Sequence, residues 1–580
     1  MRRRISALVT VLMTLAALAG MSIRPAGAQL ASQPFAAYGS GATASVNLLQ
    51  LGQTQALNVQ AAAAGQSTFS QGLPATGLFN ELQYVVLPPG TQGNSFGRAT
   101  GLELGALTPV PNPDPNQVLL AGLATRVAPP NNPVPEVKQI GPLSLGGVLG
   151  ASLLRGTAQA VFDPNTCAIG KPFSFGMGEA ADLFLVGTTT ATALVGTAPA
   201  VAPPNGRTVS WTKSATYVIP NGDGTFGLVS ETRQTIAPVT LAGGLIVVEL
   251  LGEWALRAIA TGKPNGARVE YAPVGATATT PAVRLTIGGN TTEITTQQLF
   301  GPNGFDTAVL LGALAPLLQL SIGTPARALG GAPGSAPAVA ADGTSASGAV
   351  DVVRLGVLSG LLDLITGADV RIGHMEASVT VPAGGIRCTI PVDKSATPDP
   401  VSAGQDFTIT ISIPSDAATF SQLFACDLLS IQVIDEHAIE SGNPSFTLTG
   451  ASNGGQINGN TVTFPNVGNY SIGDPPIRLT VTGRIAGNSQ AGVLRDIANV
   501  TATLGNCDGT GVGEDVVGQG ITSLGTGGIT GSVVLVGPTV SRGGVLAATG
   551  TDQRLLITGG VLLLGALALR RRLRRPATAA

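Results

Sequence analysis

From Val209 the apolar residues Val209, Trp211, Ala215, Tyr217 and Ile219 alternate with Ser210, Thr212, Ser214 and Thr216, and Lys213 interrupts the apolar face. A period of two is the mark of a β-strand. The turn cluster Pro220-Asn221-Gly222-Asp223-Gly224 and a second strand pattern from Phe226 complete a predicted hairpin. The same grammar recurs where Trp254, Leu256, Ala258 and Ala260 run into Gly262-Lys263-Pro264-Asn265-Gly266, and where Val283, Leu285 and Ile287 run into Gly288-Gly289-Asn290. Residues 29–323 therefore read as a β-rich region of meander elements. One segment departs from this period. Asp306 is placed to cap an apolar stretch from Thr307 to Leu320, interrupted by Pro316, which predicts a short kinked helix packed on the sheet. Pro-rich passages at 109–115 and 129–135 read as exposed connections, residues 324–348 as an Ala/Gly/Pro/Ser linker, and 349–387 as a β-rich connection.

A more regular module follows over 388–507. Ile390, Val392 and Lys394 open it, and Phe407, Ile409, Ile411 and Ile413 alternate with Thr408, Thr410 and Ser412. Leu429, Ile431, Val433 and Asp435 come next. Later strand patterns cover Phe446 to Leu448, Val462 to Phe464, Ile477 to Val481 and Asp496 to Leu504. About seven short strands separated by turn signals predict an immunoglobulin-like β-sandwich. The stretches from Lys394 to Ile411 and from Asp496 to Thr503 resemble the bacterial Ig-like surface-repeat domains of stalk and adhesin proteins, a resemblance that implies a spacer or adhesive module and no activity. Residues 508–545 are Gly-, Thr- and Val-rich and read as a flexible segment that crosses a cell wall.

The two ends carry processing signals. Arg2, Arg3 and Arg4 precede a mostly apolar run from Ile5 to Met21, and Ala26-Gly27-Ala28 closes it, which predicts a signal peptide cleaved after Ala28. At the other end, within 546–580, Leu546-Ala547-Ala548-Thr549-Gly550 is followed by an apolar run over about 555–569 and by Arg570, Arg571, Arg572, Arg574 and Arg575. That run is shorter than the ~20 residues of a stable spanning helix, but it can retain a chain during export with the arginines left in the cytoplasm. The order pentapeptide, apolar run, basic tail resembles the cell-wall sorting signal of Gram-positive surface proteins, in the Leu-Ala-x-Thr-Gly variant of high-GC actinobacteria. The resemblance implies that a sortase thiolate attacks the Thr549 carbonyl and passes the chain to a peptidoglycan amine. An ordinary membrane anchor through the C-terminal helix is the alternative.

Composition narrows the function. The formal charge is −2, but removing the signal and everything after Thr549 takes away ten arginines and one aspartate and leaves −11, which disfavours nucleic acid as a partner. Only 11% of residues are charged and 4% aromatic, so anchors for a deep ligand pocket are few. Cys167, Cys388, Cys426 and Cys507 form an even set without a CxxC, which in an exported chain favours disulfides over zinc. Three pairings are open. The favoured one joins Cys426 to Cys507, near the start of the module's third strand and the end of its last, and leaves Cys167 with Cys388. Gly450-Ala451-Ser452-Asn453-Gly454 fits a hydrolase pentapeptide, but its flanks are strand and strand where a nucleophile elbow needs strand and helix. Only His374 and His437 are present, and His437, beside Asp435-Glu436, reads as a solvated strand-end residue.

The expected fold class is mainly β: a large N-terminal β-rich region, an Ig-like sandwich and a C-terminal apolar helix. The expected function is a wall- or membrane-anchored structural or adhesive surface protein, with no catalytic residues, cofactor or metal and with an unidentified surface ligand. A surface-tethered binding protein or enzyme that uses the N-terminal region is the alternative. One chemical possibility remains inside the module. Lys394 shares the strand parity of Ile390, Asp435 that of Ile431 and Val433, and Asp496 that of Ala498 and Val500, so all three are placed to point inward. A lysine on a first strand, an acid in the middle and an Asp on the last strand resembles the collagen-adhesin B-type domains, which implies an isopeptide between Lys394 and Asp496 with Asp435 as proton shuttle. Solvated strand-end charges or a rim salt bridge are the usual fate of such residues and the favoured reading.

Overall fold

The computed structural model describes residues 30–526, less 52–53, 75–91, 110–117, 146–148, 186–194, 198–208, 242, 301–317, 324–335, 358–364, 506 and 508–514. The signal peptide, the sorting pentapeptide and the run at 555–569 lie outside the described residues, as does 307–317 of the expected helix. Among the described residues no helix is long and apolar enough to cross a membrane.

The described chain is mainly β. A nine-stranded sheet carries, side by side, Leu318–Ile322, Ser345–Val357, Ile365–Thr380, Ala36–Leu51, Thr54–Phe69, Ser95–Pro109 and Val118–Ala121. Two readings change here. Residues 349–387 are no connection, because Ile365–Thr380 pairs along its length with Ala36–Leu51 and so lies inside the N-terminal sheet. The end of the expected helix, Leu318 to Leu320, is strand, since Ser345–Val357 offers its edge. That strand also starts within the expected linker at 324–348.

A seven-stranded sheet faces the first, in the order Arg268–Pro273, Trp254–Ala260, Phe226–Thr235, Val209–Pro220, Ser174–Ala181, Leu153–Ala160 and Asn132–Ile140. Asn132–Ile140 contains Pro133 and Pro135, read above as a connection; it is an edge strand, where proline is tolerated. An eight-stranded sheet is built from short continuations of these strands, such as Phe184–Leu185 after Ser174–Ala181.

The predicted hairpin of Val209–Pro220 and Phe226–Thr235 is present, but its inward face is the polar one: Thr212, Ser214, Thr216, Ser230, Thr232 and Gln234 are fully buried. Four of them, Thr216, Ser230, Thr232 and Gln234, bond across to the nine-stranded sheet. Ser230 Oγ donates to the Tyr38 carbonyl at 2.6 Å, Thr232 Oγ1 to the Glu376 carbonyl at 3.0 Å, and Gln234 Nε2 to the His374 carbonyl at 2.6 Å. Short polar side chains let the sheets come much closer than the ~10 Å of an apolar sandwich. Glycine completes the approach. A Cβ on Gly97 would stand 2.2 Å from the Phe175 carbonyl oxygen, and one on Gly178 would stand 2.4 Å from that of Ala63.

The module is a sandwich of two sheets. One holds Thr389–Ile390, Asp515–Thr526, Gly492–Gly505, Asp427–Gly442, Thr461–Tyr470 and Gln456–Asn458; the other holds Asp393–Thr397, Asp406–Ile413, Ile477–Ile485 and Phe446–Ala451. Asp515–Thr526 belongs to the stretch read as wall-spanning, and it pairs antiparallel with Gly492–Gly505. A short helix, Ala417–Leu423, is capped by the Asp416 carboxylate, which accepts from the Ala418 and Thr419 amides. It stacks Phe420 on Phe424 at 4.2 Å. Disulfides join Cys426 to Cys507 and Cys167 to Cys388. The second ties the N-terminal region to the module, and beside it Ile169 exchanges backbone hydrogen bonds with Leu423 and Ala425 at 2.9 and 2.8 Å.

Because Gly97 faces backbone rather than a movable side chain, Gly97→Ala is predicted to destabilise the protein by about 1–3 kcal/mol. Gly141→Ala, where nothing lies within 4 Å of the new methyl, should leave it unchanged. Denaturant unfolding of both variants measures the difference.

Candidate functional site

Lys394 stands on the Asp393–Thr397 strand between exposed Asp393 and Ser395, so the two-residue period turns it inward. Its strand pairs with Asp406–Ile413, whose Phe407, Ile409, Ile411 and Ile413 line the core. From the opposite sheet, Asp435 projects from Asp427–Gly442, where Ile431, Val433 and His437 share its buried face. Asp496 projects from Gly492–Gly505 in line with Ala498 and Val500. Backbone register sets His437 directly opposite Asp496.

The four side chains meet inside the sandwich. Lys394 Nζ contacts Asp435 Oδ1 and lies 2.5 Å from Asp496 Oδ1, and side-chain exposure is 0% for Lys394 and Asp435 and 2% for Asp496. The His437 ring bridges the carboxylates, with Nε2 3.3 Å from Asp435 Oδ2 and Nδ1 3.2 Å from Asp496 Oδ1. Contact is not satisfaction: neither Asp496 oxygen, nor Asp435 Oδ2, nor His437 Nε2 has an aligned hydrogen-bond partner. The two acids diverge. Burial drives the Asp496 carboxyl up to about 7 against the pull of Lys394, with the Asp435 charge adding to the rise. Asp435 moves the other way: burial opposes its charge, but His437 and Lys394 hold it below the usual carboxylate range. One acid is thus a proton acceptor and the other is readily neutral, the division of labour acid–base chemistry needs. Asp435, His437 and Asp496 also offer one ligand atom each within 4.8 Å of one another. The lysine nitrogen already occupies that space, which makes a cation a poor occupant.

The structure thus brings Lys394, Asp435 and Asp496 together. His437, read as solvated, is buried because it continues the inward parity of Asp435; that spacing of two was the signal for it. The remaining site residues, Leu546, Ala547, Ala548, Thr549 and Gly550, lie outside the described residues. Ser452 occupies a turn, where its Oγ accepts from the Thr480 amide at 2.8 Å, as a structural serine does.

A second buried cluster, with no local signal in the sequence, lies in the nine-stranded sheet. His374, fully buried, lies directly opposite Asp351 in the nine-stranded sheet, with Nδ1 2.5 Å from Asp351 Oδ1 and Nε2 3.1 Å from Glu376 Oε1. The other Glu376 oxygen accepts from the Tyr38 and Ser40 hydroxyls, each at 3.1 Å. Burial opposes charge on this ring, but Asp351 and Glu376 outweigh it and raise His374 to about 9. Burial opposes charge on Asp351 as well, but His374, Arg371 and Arg354 hold it well below the carboxylate range. The cluster sits behind the polar sheet interface and has the makings of a structural clamp.

No protein-family model matches the chain, and no curated protein matches it. Solved structures similar to parts of it include a DUF4466 family protein from Parabacteroides merdae, at 14% identity over 23% of this chain and 43% of that one, with a TM-score of 0.12. The chain thus spans less than half of that protein. The N-terminal domain of a Streptococcus gordonii adhesin aligns at 8% identity over 83% of this chain and 91% of its own, with a TM-score of 0.16. A Corynebacterium diphtheriae protein described as membrane anchored aligns at 12% identity over 85% and 96%, with a TM-score of 0.15. Superpositions this poor carry no argument about fold or function.

A histidine raised from 6.5 to about 9 on folding stabilises the folded state fully below about pH 6.5, and the contribution disappears as pH rises through 9. Melting temperature should therefore fall between neutral pH and about pH 9.5, by an amount on the order of 3 kcal/mol of stability. His374→Gln should flatten that fall in thermal scans across the same range.

Proposed function

We propose that this chain is an envelope-anchored surface protein of structural or adhesive role, whose Ig-like module acts as a stalk and cross-links itself between Lys394 and Asp496. The observation that carries the reading is a lysine buried between two acids of divergent proton affinity, with Nζ 2.5 Å from Asp496 Oδ1. Buried charges unaligned with their partners are costly to folding, which favours a chemical role over a structural one. Envelope location is supported by the order of signals at the two chain ends and by four cysteines all closed in disulfides, which persist in oxidising surroundings. The reaction is a single intramolecular event, so the protein is no turnover enzyme and uses no cofactor. Sortase and peptidoglycan are its partners at the C-terminal pentapeptide.

Intact mass of the reduced mature protein tests the cross-link. The protein should be one water lighter than its sequence, and Lys394→Arg should restore the full sequence mass. A wild-type mass equal to the full sequence mass overturns the reading.

Anchoring is tested separately. Thr549→Ala should leave the protein exported but extractable with detergent, whereas the natural chain should need wall digestion for release. Equal detergent extraction of both would mean a plain membrane anchor.

A further inference from the structure

Four features single out His437 among the groups around Lys394. It is buried, with 2% of its side chain exposed. Its ring faces both acids, Nδ1 toward Asp496 Oδ1 at 3.2 Å and Nε2 toward Asp435 Oδ2 at 3.3 Å. Backbone pairing holds it opposite Asp496, and its strand places it two residues from Asp435. Finally, Nε2 has no hydrogen-bond partner, and neither has either oxygen of Asp496, so the ring is not held there by satisfied bonds. The groups facing the ring are Asp435 on its own strand, Asp496 on the neighbouring strand, Lys394 from the opposite sheet and the Phe446 ring at 6.4 Å.

We propose that His437 is a catalytic residue of the cross-linking reaction, the proton relay that connects Asp435 to the oxygen that leaves Asp496. The inference rests on the cross-link reading above. Lys394 begins as an ammonium and passes one proton to the Asp435 carboxylate. The freed nitrogen lone pair attacks Cγ of Asp496 in its acid form, and the N–C bond forms. Nδ1–H of His437 gives its proton to the Oδ1 side while Nε2 takes the proton held by Asp435. The C–O bond breaks, its electron pair leaves with the oxygen, and that oxygen departs as water. Asp435, again a carboxylate, accepts the second proton from the nitrogen. The products are a neutral amide, one water, a protonated Asp435 and a neutral His437 of the other tautomer, so charge and protons balance without any other reactant. The ring touches both acids, Nε2 toward Asp435 Oδ2 and Nδ1 toward Asp496 Oδ1, so it offers a path between them that does not pass through the reacting nitrogen.

The experiment follows water loss by intact mass during oxidative cell-free synthesis of the mature chain, quenched at intervals from about pH 5 to about pH 9, across the range in which histidine titrates. Wild type, His437→Gln and His437→Asn are compared, and peptide mapping of both disulfides together with a thermal transition verifies folding. The inference expects the folded variants to lose the same water ~10²-fold more slowly or worse, with a changed pH profile. It is overturned if wild type cross-links and either folded variant does so at the same rate and with the same pH profile; the cross-link reading then stands. If wild type never loses water, the cross-link itself is refuted and the relay with it.

Discussion

Two sheets that meet almost backbone to backbone set the terms for the N-terminal region. At Gly97, where a methyl would touch the opposite chain, there is no room for a leucine or phenylalanine between the sheets. Serine, threonine and glutamine fill the gap instead, and Thr216, Ser230, Thr232 and Gln234 bond across it, which offsets the cost of burying them. This accounts for a chain that is 4% aromatic yet folds into three N-terminal sheets. The buried His374, Asp351 and Glu376 belong to the same regime: Glu376 hands its second oxygen to hydroxyls of that interface, so the charged cluster and the polar sheet contact stabilise each other.

The module solves the opposite problem. Its core is an ordinary apolar sandwich of Phe407, Ile409, Ile411, Val433 and Val500, and four ionisable groups are set inside it. Taking charges out of water is repaid only by excellent pairing, and here much of the pairing is misaligned. An amide between Lys394 and Asp496, formed as proposed, would leave the lysine nitrogen uncharged and Asp435 neutral with the released proton. The proposed cross-link would therefore also be the state in which this core carries least uncompensated charge. Folding brings the three side chains together, and the cost of keeping them charged would favour the bond.

How much of this was legible depended on whether the information was local. The parity of Lys394, Asp435 and Asp496 with apolar neighbours is local and allows an inward placement, which the structure has, although the usual fate of charged residues favoured solvated strand ends. His437 obeyed the same parity, but its acidic neighbours suggested a solvated strand end; Glu436 does point out, and the ring does not. The hairpin from Val209 was legible as a hairpin and misleading as to its faces, because alternation tells which residues share a side and not which side meets another sheet. Boundaries were the least legible. Nothing near Ile365–Thr380 says that its partner is Ala36–Leu51, more than three hundred residues earlier. Nor does the Gly-rich composition around Asp515–Thr526 announce that Gly492–Gly505 still has an open edge.

Those long-range pairings bear on how the molecule would carry load. Cys167 and Cys388 are separated by 221 residues of chain, yet one bond joins them. Lys394 follows Cys388 closely, and Asp496 closely precedes Cys507, so a Lys394–Asp496 amide would continue the path that the Cys167–Cys388 bridge begins. Tension entering near Cys507 would then reach Cys167 along two short backbone stretches and two cross-links. The strands between those points would stay slack, whatever their hydrogen bonds could bear. Sheets held by polar contacts and glycine, as in the N-terminal region, resist shear poorly compared with covalent bonds. If the chain is held by its C-terminus, as proposed above, load would therefore pass through covalent bonds before it reaches those sheets.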